Sequence, residues 1–234
     1  MSSTLPKDTP AYTSRRDFFK RAGFGLGAAA AAVSLQACDS DDPVDNGDVV
    51  TLDFSNDFGV LNYAYALEQL EAGFYATVIG DAAFSSTFNT DEQAIFRDLA
   101  AHEAIHRDFL EAAIMGAQGQ PIPDLTPDFS SIDFSDRSNV LAVAQTFEDL
   151  GVSAYNGAGK YIQSAAYLTI AGKIVSVEAR HASVIAGLIT PNSIAASGQV
   201  NSNGLDRALD PDDVLAAAAD FIMDDIEAVN IPTT

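Results

Sequence analysis

One cysteine, three histidines and only 12 basic residues, against 33 acidic ones, make up the scarce side of this 234-residue chain. Each scarcity excludes something. A single Cys38 rules out an internal disulfide framework and any Cys-x-x-Cys pair, and with it an attached rubredoxin-type electron carrier. The shortage of Lys and Arg leaves a formal net charge of −21. A surface that acidic repels nucleic acid and anionic lipid, so neither is an expected partner. After residue 40 there is also no apolar stretch long enough to span a bilayer. What is present, 47% hydrophobic and 19% charged residues, is the composition of a globular chain with about 180 residues for one compact domain.

The start of the chain reads as an address. Ser14-Arg15-Arg16-Asp17-Phe18-Phe19-Lys20 precedes an uncharged, Ala- and Gly-rich run from Ala22 to Ala37. A charged start, a short apolar middle and small residues at the end describe a cleaved export signal, expected over residues 1–37. The paired arginines before two phenylalanines resemble a twin-arginine signal, the route for proteins exported already folded. Leu35-Gln36-Ala37-Cys38 resembles a bacterial lipobox, although Gln36 departs from the usual residue at its place. The expectation is therefore an exported protein of the periplasm or cell envelope, touching the membrane only through a lipid on Cys38. Cleavage would remove five basic and two acidic residues and bring the charge to −24. Residues 38–55, acidic from Asp39 to Asp48, have little to bury and read as a flexible tether.

The rest of the chain alternates apolar helical stripes with breakers. Helices are expected over 57–80, 90–116, 138–163 and 166–189, the second opened by a capping box at Thr90-Asp91-Glu92-Gln93 and the fourth stopped by Pro191. Gly157 and Gly159 should weaken the end of the third. A short fifth helix is expected over 210–227, packed outside by Val214, Leu215, Phe221 and Ile222. The connection from Ala117 to Arg137 is irregular but long: helices of about 24 residues span roughly 36 Å, and some 20 extended residues reach about 66 Å. The fold class is thus all-α, a four-helix bundle over 56–190 made of two hairpins with a long crossover between helices 2 and 3. Residues 191–234 form a C-terminal extension.

Two of the three histidines stand three residues after a glutamate: Glu103-Ala-Ile-His106 and Glu178-Ala-Arg-His181. On a helix, residues three apart share a face. The other two bundle helices each carry a glutamate in the middle of the apolar stripe, Glu68 and Glu148, and each is followed seven residues later by a tyrosine, Tyr75 and Tyr155. The halves look like copies of one another. Glu71 rivals Glu68 on nearly the same face, but its counterpart in the repeat is Gly151, which favours Glu68. His102 points about 100° away from Glu103 and its counterpart is Val177, so it reads as a surface residue or a neighbour of the ligands. Buried carboxylates are costly alone, and no basic residue falls on the stripes. Four carboxylates with two neutral imidazoles carry −4, which two divalent cations would cancel. Oxygen and imidazole donors suit iron or manganese.

In the order of helices, crossover and residues, the chain resembles ferritin-like di-iron proteins, and in particular the exported bacterial ferritin-like domain family related to plant desiccation proteins. The resemblance covers about residues 57–189. It implies Glu68 and Glu148 as terminal ligands, Glu103 and Glu178 as bridging carboxylates and His106 and His181 as imidazole ligands. Tyr75, Tyr155 and Glu71 would stand beside them. It further implies two iron ions, with manganese as the alternative, and Fe(II), O2 or peroxide as reactants of a ferroxidase or peroxidase-like oxidoreductase. The competing expectation is a non-catalytic envelope protein of stress or desiccation with the same fold. Iron storage in a closed cage fits a lipid anchor and long tether badly.

Overall fold

The computed structural model describes residues 49–233. The expected signal over 1–37, lipidated Cys38 and the acidic part of the tether lie outside the described residues. The first bundle helix, α1 (Asp57–Gly80), starts where Asn56 accepts a hydrogen bond from the Phe58 N–H. Its buried residues lie on every face, so it is the central rod of the molecule. The second helix, α2 (Thr90–Gly116), is opened by a capping box centred one residue before the expected one. The Asn89 side chain accepts from the Asp91 and Glu92 N–H groups, and Glu92 accepts from the Asn89 N–H. Arg137 then pairs with Glu92 at 2.6 Å and donates to the Leu188 carbonyl, tying three helix ends together.

The third helix, α3 (Arg137–Ala158), is shorter than expected and passes into a 3-10 turn, Gly159–Tyr161. The chain turns there because the Asp57 carboxylate takes the Gln163 and Ser164 N–H groups, at 2.6 and 2.9 Å. Gly157 has a separate reason to lack a side chain: a Cβ there would stand 1.7 Å from the Leu209 carbonyl oxygen of the C-terminal extension. The fourth helix, α4 (Ala165–Ile189), ends before Pro191. Helix α1 packs chiefly on α2, and α3 on α4. These are the two expected hairpins.

The crossover, residues 117–136, is held along α1 by two buried amides. Asn62 donates to the Gln120 carbonyl and accepts from the Ile122 N–H. Two turns further on, Gln69 donates to the Pro123 carbonyl and accepts from the Leu125 N–H. The extended segment is thereby hydrogen-bonded without a sheet.

Two expectations are corrected. The fifth helix, α5 (Pro211–Ala218), stops short of 227 and is followed by a 3-10 turn, Ala219–Phe221, and a strand. That strand, β2 (Ile226–Val229), pairs in parallel with β1 (Val50–Asp53), in register Val50 to Ile226 and Asp53 to Val229. The helix yields because the backbone at Phe221 and Met223 is drawn into bonds with Asp128 and Thr126 of the crossover. Residues 50–53, expected within the tether, form a strand instead. Val50, Leu52 and Phe54 are buried, alternating with exposed Thr51 and Asp53, as a half-buried strand requires.

Candidate metal centre

The structure brings six sequence-predicted residues to one level of the bundle. Glu68 comes from α1, Glu103 and His106 from α2, Glu148 from α3, and Glu178 and His181 from α4. All four glutamates are fully buried. Their ligand atoms form two groups, each with its atoms within 4.8 Å of one another: Glu68, Glu103, His106 and Glu178, and Glu103, Glu148, Glu178 and His181. Glu103 and Glu178 belong to both. His106 Nδ1 lies 2.8 Å from Glu178, 3.2 Å from Glu103 and 3.4 Å from Glu68. His181 Nδ1 lies 2.6 Å from Glu103 and 3.5 Å from both Glu148 and Glu178. The approximate two-fold repeat of the sequence is therefore a two-fold arrangement of donors in space.

These atoms converge without satisfying one another. Glu68 Oε2, Glu103 Oε1, Glu148 Oε2, both Glu178 oxygens and His181 Nδ1 are buried with no hydrogen bond of good geometry. Buried carboxylate oxygens left this way are rare unless they are aimed at a cation. Without one, the cluster must hold protons. Burial lowers the affinity of His106 and His181 for a proton, but the carboxylates around them outweigh it and push both imidazoles up to about 12. Burial raises Glu103 as well, yet its contacts with both histidines bring it down to about 2. Glu148 is pushed up to about 8, its burial outweighing the nearby His181. Glu68 also rises well above the usual carboxylate range, through burial and then the Glu178 charge. Glu68 and Glu148 are thus the proton holders, and Glu103 is the charged member.

A sequence model described as a ferritin-like domain matches residues 56–191. The chain belongs to that family. No curated protein matches it. In this ferritin-like domain the two halves exchange hydrogen bonds across the bundle. Tyr75 of α1 donates to Glu148 Oε1 of α3, and Tyr155 of α3 donates to Glu68 Oε1 of α1 at 2.5 Å. Each tyrosine occupies the outer oxygen of a terminal carboxylate and leaves the inner one free. The tyrosines expected beside the ligands therefore touch the terminal carboxylates themselves. Glu71 is buried too, but lies outside both donor groups, against Gly151, where a Cβ would come 2.9 Å from its Oε1. The glycine that broke the internal repeat makes room for the carboxylate.

His102 is the residue that sequence reasoning left undecided. Its Nδ1 lies 2.9 Å from Nε2 of His181, with the two rings nearly parallel at 12°. The helical offset kept it off the ligand face of α2, and the ring reaches the neighbouring helix instead. Its place depends on how α2 lies beside α4, which no local pattern encodes. The arrangement holds His181 with Nδ1 toward the carboxylates of this ferritin-like centre and Nε2 toward His102.

Proposed function

We propose that the centre is dinuclear and holds two iron ions, and that the chain oxidises Fe(II) with O2 or peroxide in the cell envelope. The observation that carries the reading is the set of six buried, unpartnered donor atoms converging from four helices. Two divalent ions neutralise the four carboxylates, and hard oxygen donors with imidazole favour iron or manganese over thiol-seeking metals. Export rests on the Arg15-Arg16 signal and anchoring on Cys38.

Glu68 and His106 would hold one ion and Glu148 and His181 the other, with Glu103 and Glu178 common to both donor groups. Iron held there would supply the reducing chemistry, one electron from each Fe(II), enough to take O2 with two protons to H2O2 or H2O2 with two protons to two waters. The chain's own contribution is positional. Tyr75 and Tyr155 fix the terminal carboxylates, His102 fixes the rotation of His181, and burial in the apolar bundle keeps bulk water from the donors. Protons held on the terminal carboxylates and imidazoles would have to leave for the ions to bind.

Anaerobic Fe(II) titration followed by oxidant tests this directly. Two ions per chain are expected, with oxidation on adding O2 or H2O2. Both should be lost or strongly reduced in Glu103→Ala and His181→Ala, since removing a ligand costs metal affinity by one to two orders of magnitude or more. A folded chain that binds no Fe(II), or variants that turn over unchanged, would sink the reading.

A further inference from the structure

Next to the ligand layer, the bundle holds a partly open cavity of about 30 Å³. All four helices build it, through Ala64 and Leu67 of α1, Leu110 of α2, Ala154 and Tyr155 of α3, and Ile174 of α4. These positions run in phase with the ligands. Ala64 stands four residues before Glu68, Leu110 four after His106, Ile174 four before Glu178, and Tyr155 seven after Glu148. The spacing stacks the cavity one to two turns, roughly 5–11 Å, from the carboxylates. Tyr155 belongs to both layers: its ring lines the cavity while its hydroxyl is engaged by Glu68.

The lining is almost entirely carbon. A cavity needs roughly 10–15 Å³ on this measure for one water, and water stays only where it finds 2–4 polar partners. This one has room for a diatomic molecule and offers water next to nothing. Hydrogen peroxide would surrender its hydrogen bonds on entering, as water would. Dioxygen has none to surrender.

We propose that this cavity is a dioxygen-binding pocket feeding the centre, and that O2 rather than peroxide is the oxidant the protein is shaped for. The proposal rests on the dinuclear reading for its purpose but not for its test. The full chain, metal-free, is studied by methyl NMR under O2 pressure, with argon as reference. Paramagnetic relaxation severalfold stronger at Leu67, Leu110 and Ile174 than at Leu141 and Ile185, equally buried beyond the other side of the ligand layer, is expected. Equal relaxation at both sets would overturn the pocket.

Ala154→Leu and Ala64→Leu, made separately, fill the space. In iron-loaded protein either should slow oxidation by O2 about tenfold, the enrichment expected from burying on the order of 50 Å² of apolar surface. Oxidation by H2O2 should stay within about twofold of the parent. Equal slowing of both oxidants, or of neither, would overturn the proposal, and the wild-type NMR decides it alone if both variants fail to fold. A chain that takes up no iron would count against the dinuclear reading, while the O2 relaxation would still judge the cavity.

Discussion

Glu68 and Glu71 stand three residues apart on α1, both buried, yet only Glu68 reaches the donor groups. Glu68 faces His106 and accepts from Tyr155, whereas the electrostatic neighbours of Glu71 are four more carboxylates. Burial, and then those charges with Glu178 foremost, push Glu71 well above the usual carboxylate range. Burial and like charge therefore favour its protonated form. Glu71→Gln keeps the shape and removes the charge that would otherwise develop at high pH. It should leave two ions per chain and melt with the parent at pH 5. As pH rises from 5 to 8 it should gain on the metal-free parent, read as a higher melting temperature. Glu68→Gln should instead lower the ion count from two to one by elemental analysis. A loss of metal in Glu71→Gln would reverse the assignment of the two residues. The distinction is legible in the sequence alone, because the repeat pairs Glu68 with Glu148 and Glu71 with Gly151. His102 is not legible to the same degree, since its partner belongs to another helix.

At the scale of elements, the crossover is where the bundle departs from four helices that could pack by stripes alone. The amides of Asn62 and Gln69 replace a sheet partner for residues 120–125. Gln69→Ala would leave the buried Leu125 N–H and the Pro123 carbonyl without their bonds, at a cost of about 2 kcal/mol. Urea denaturation should show the lower midpoint with unchanged helical content, and an unaltered midpoint would mean that water replaces the amide freely. The helices themselves are readable to within a few residues because their signals are local: caps such as Asn56, and stops such as Pro191. The β1–β2 pair is not. Four-residue strands carry too little alternation to stand out, and Val50 finds its partner at Ile226, at the far end of the chain. The acidic run before Val50 hides the first, and the helix-favouring Ala216 to Ala219 extends the helical pattern toward the second. The apolar stripe of the third helix likewise continues past Ala158, while the Asp57 carboxylate turns the backbone away.

For the whole molecule, a net charge of −21 and a buried acidic cluster act in one direction on pH dependence. In the metal-free protein Glu148 titrates at about 8 instead of its ordinary 4.5. The folded state therefore binds more protons than the unfolded one across that window, and stability falls as pH rises through it. Glu68 and Glu71 shift in the same sense. The imidazoles, raised from 6.5 to about 12, contribute stability that is complete below 6.5 and declines from there upward. Glu103, lowered from 4.5 to about 2, contributes stability that is present above 4.5 and lost as pH falls through 2, so it is constant across the neutral range. Melting of the metal-free chain should consequently drop steadily from pH 5 to pH 9. Surface repulsion adds to the drop, but it is common to both forms of the protein. In the loaded form the ions take the place of the protons, and their affinity grows as the ligands deprotonate. The gap between loaded and metal-free melting temperatures should therefore widen as pH rises from 5 to 8. Scanning calorimetry of the two forms isolates the cluster from the surface, and a gap that stays constant or narrows would mean that the buried carboxylates do not exchange protons for metal.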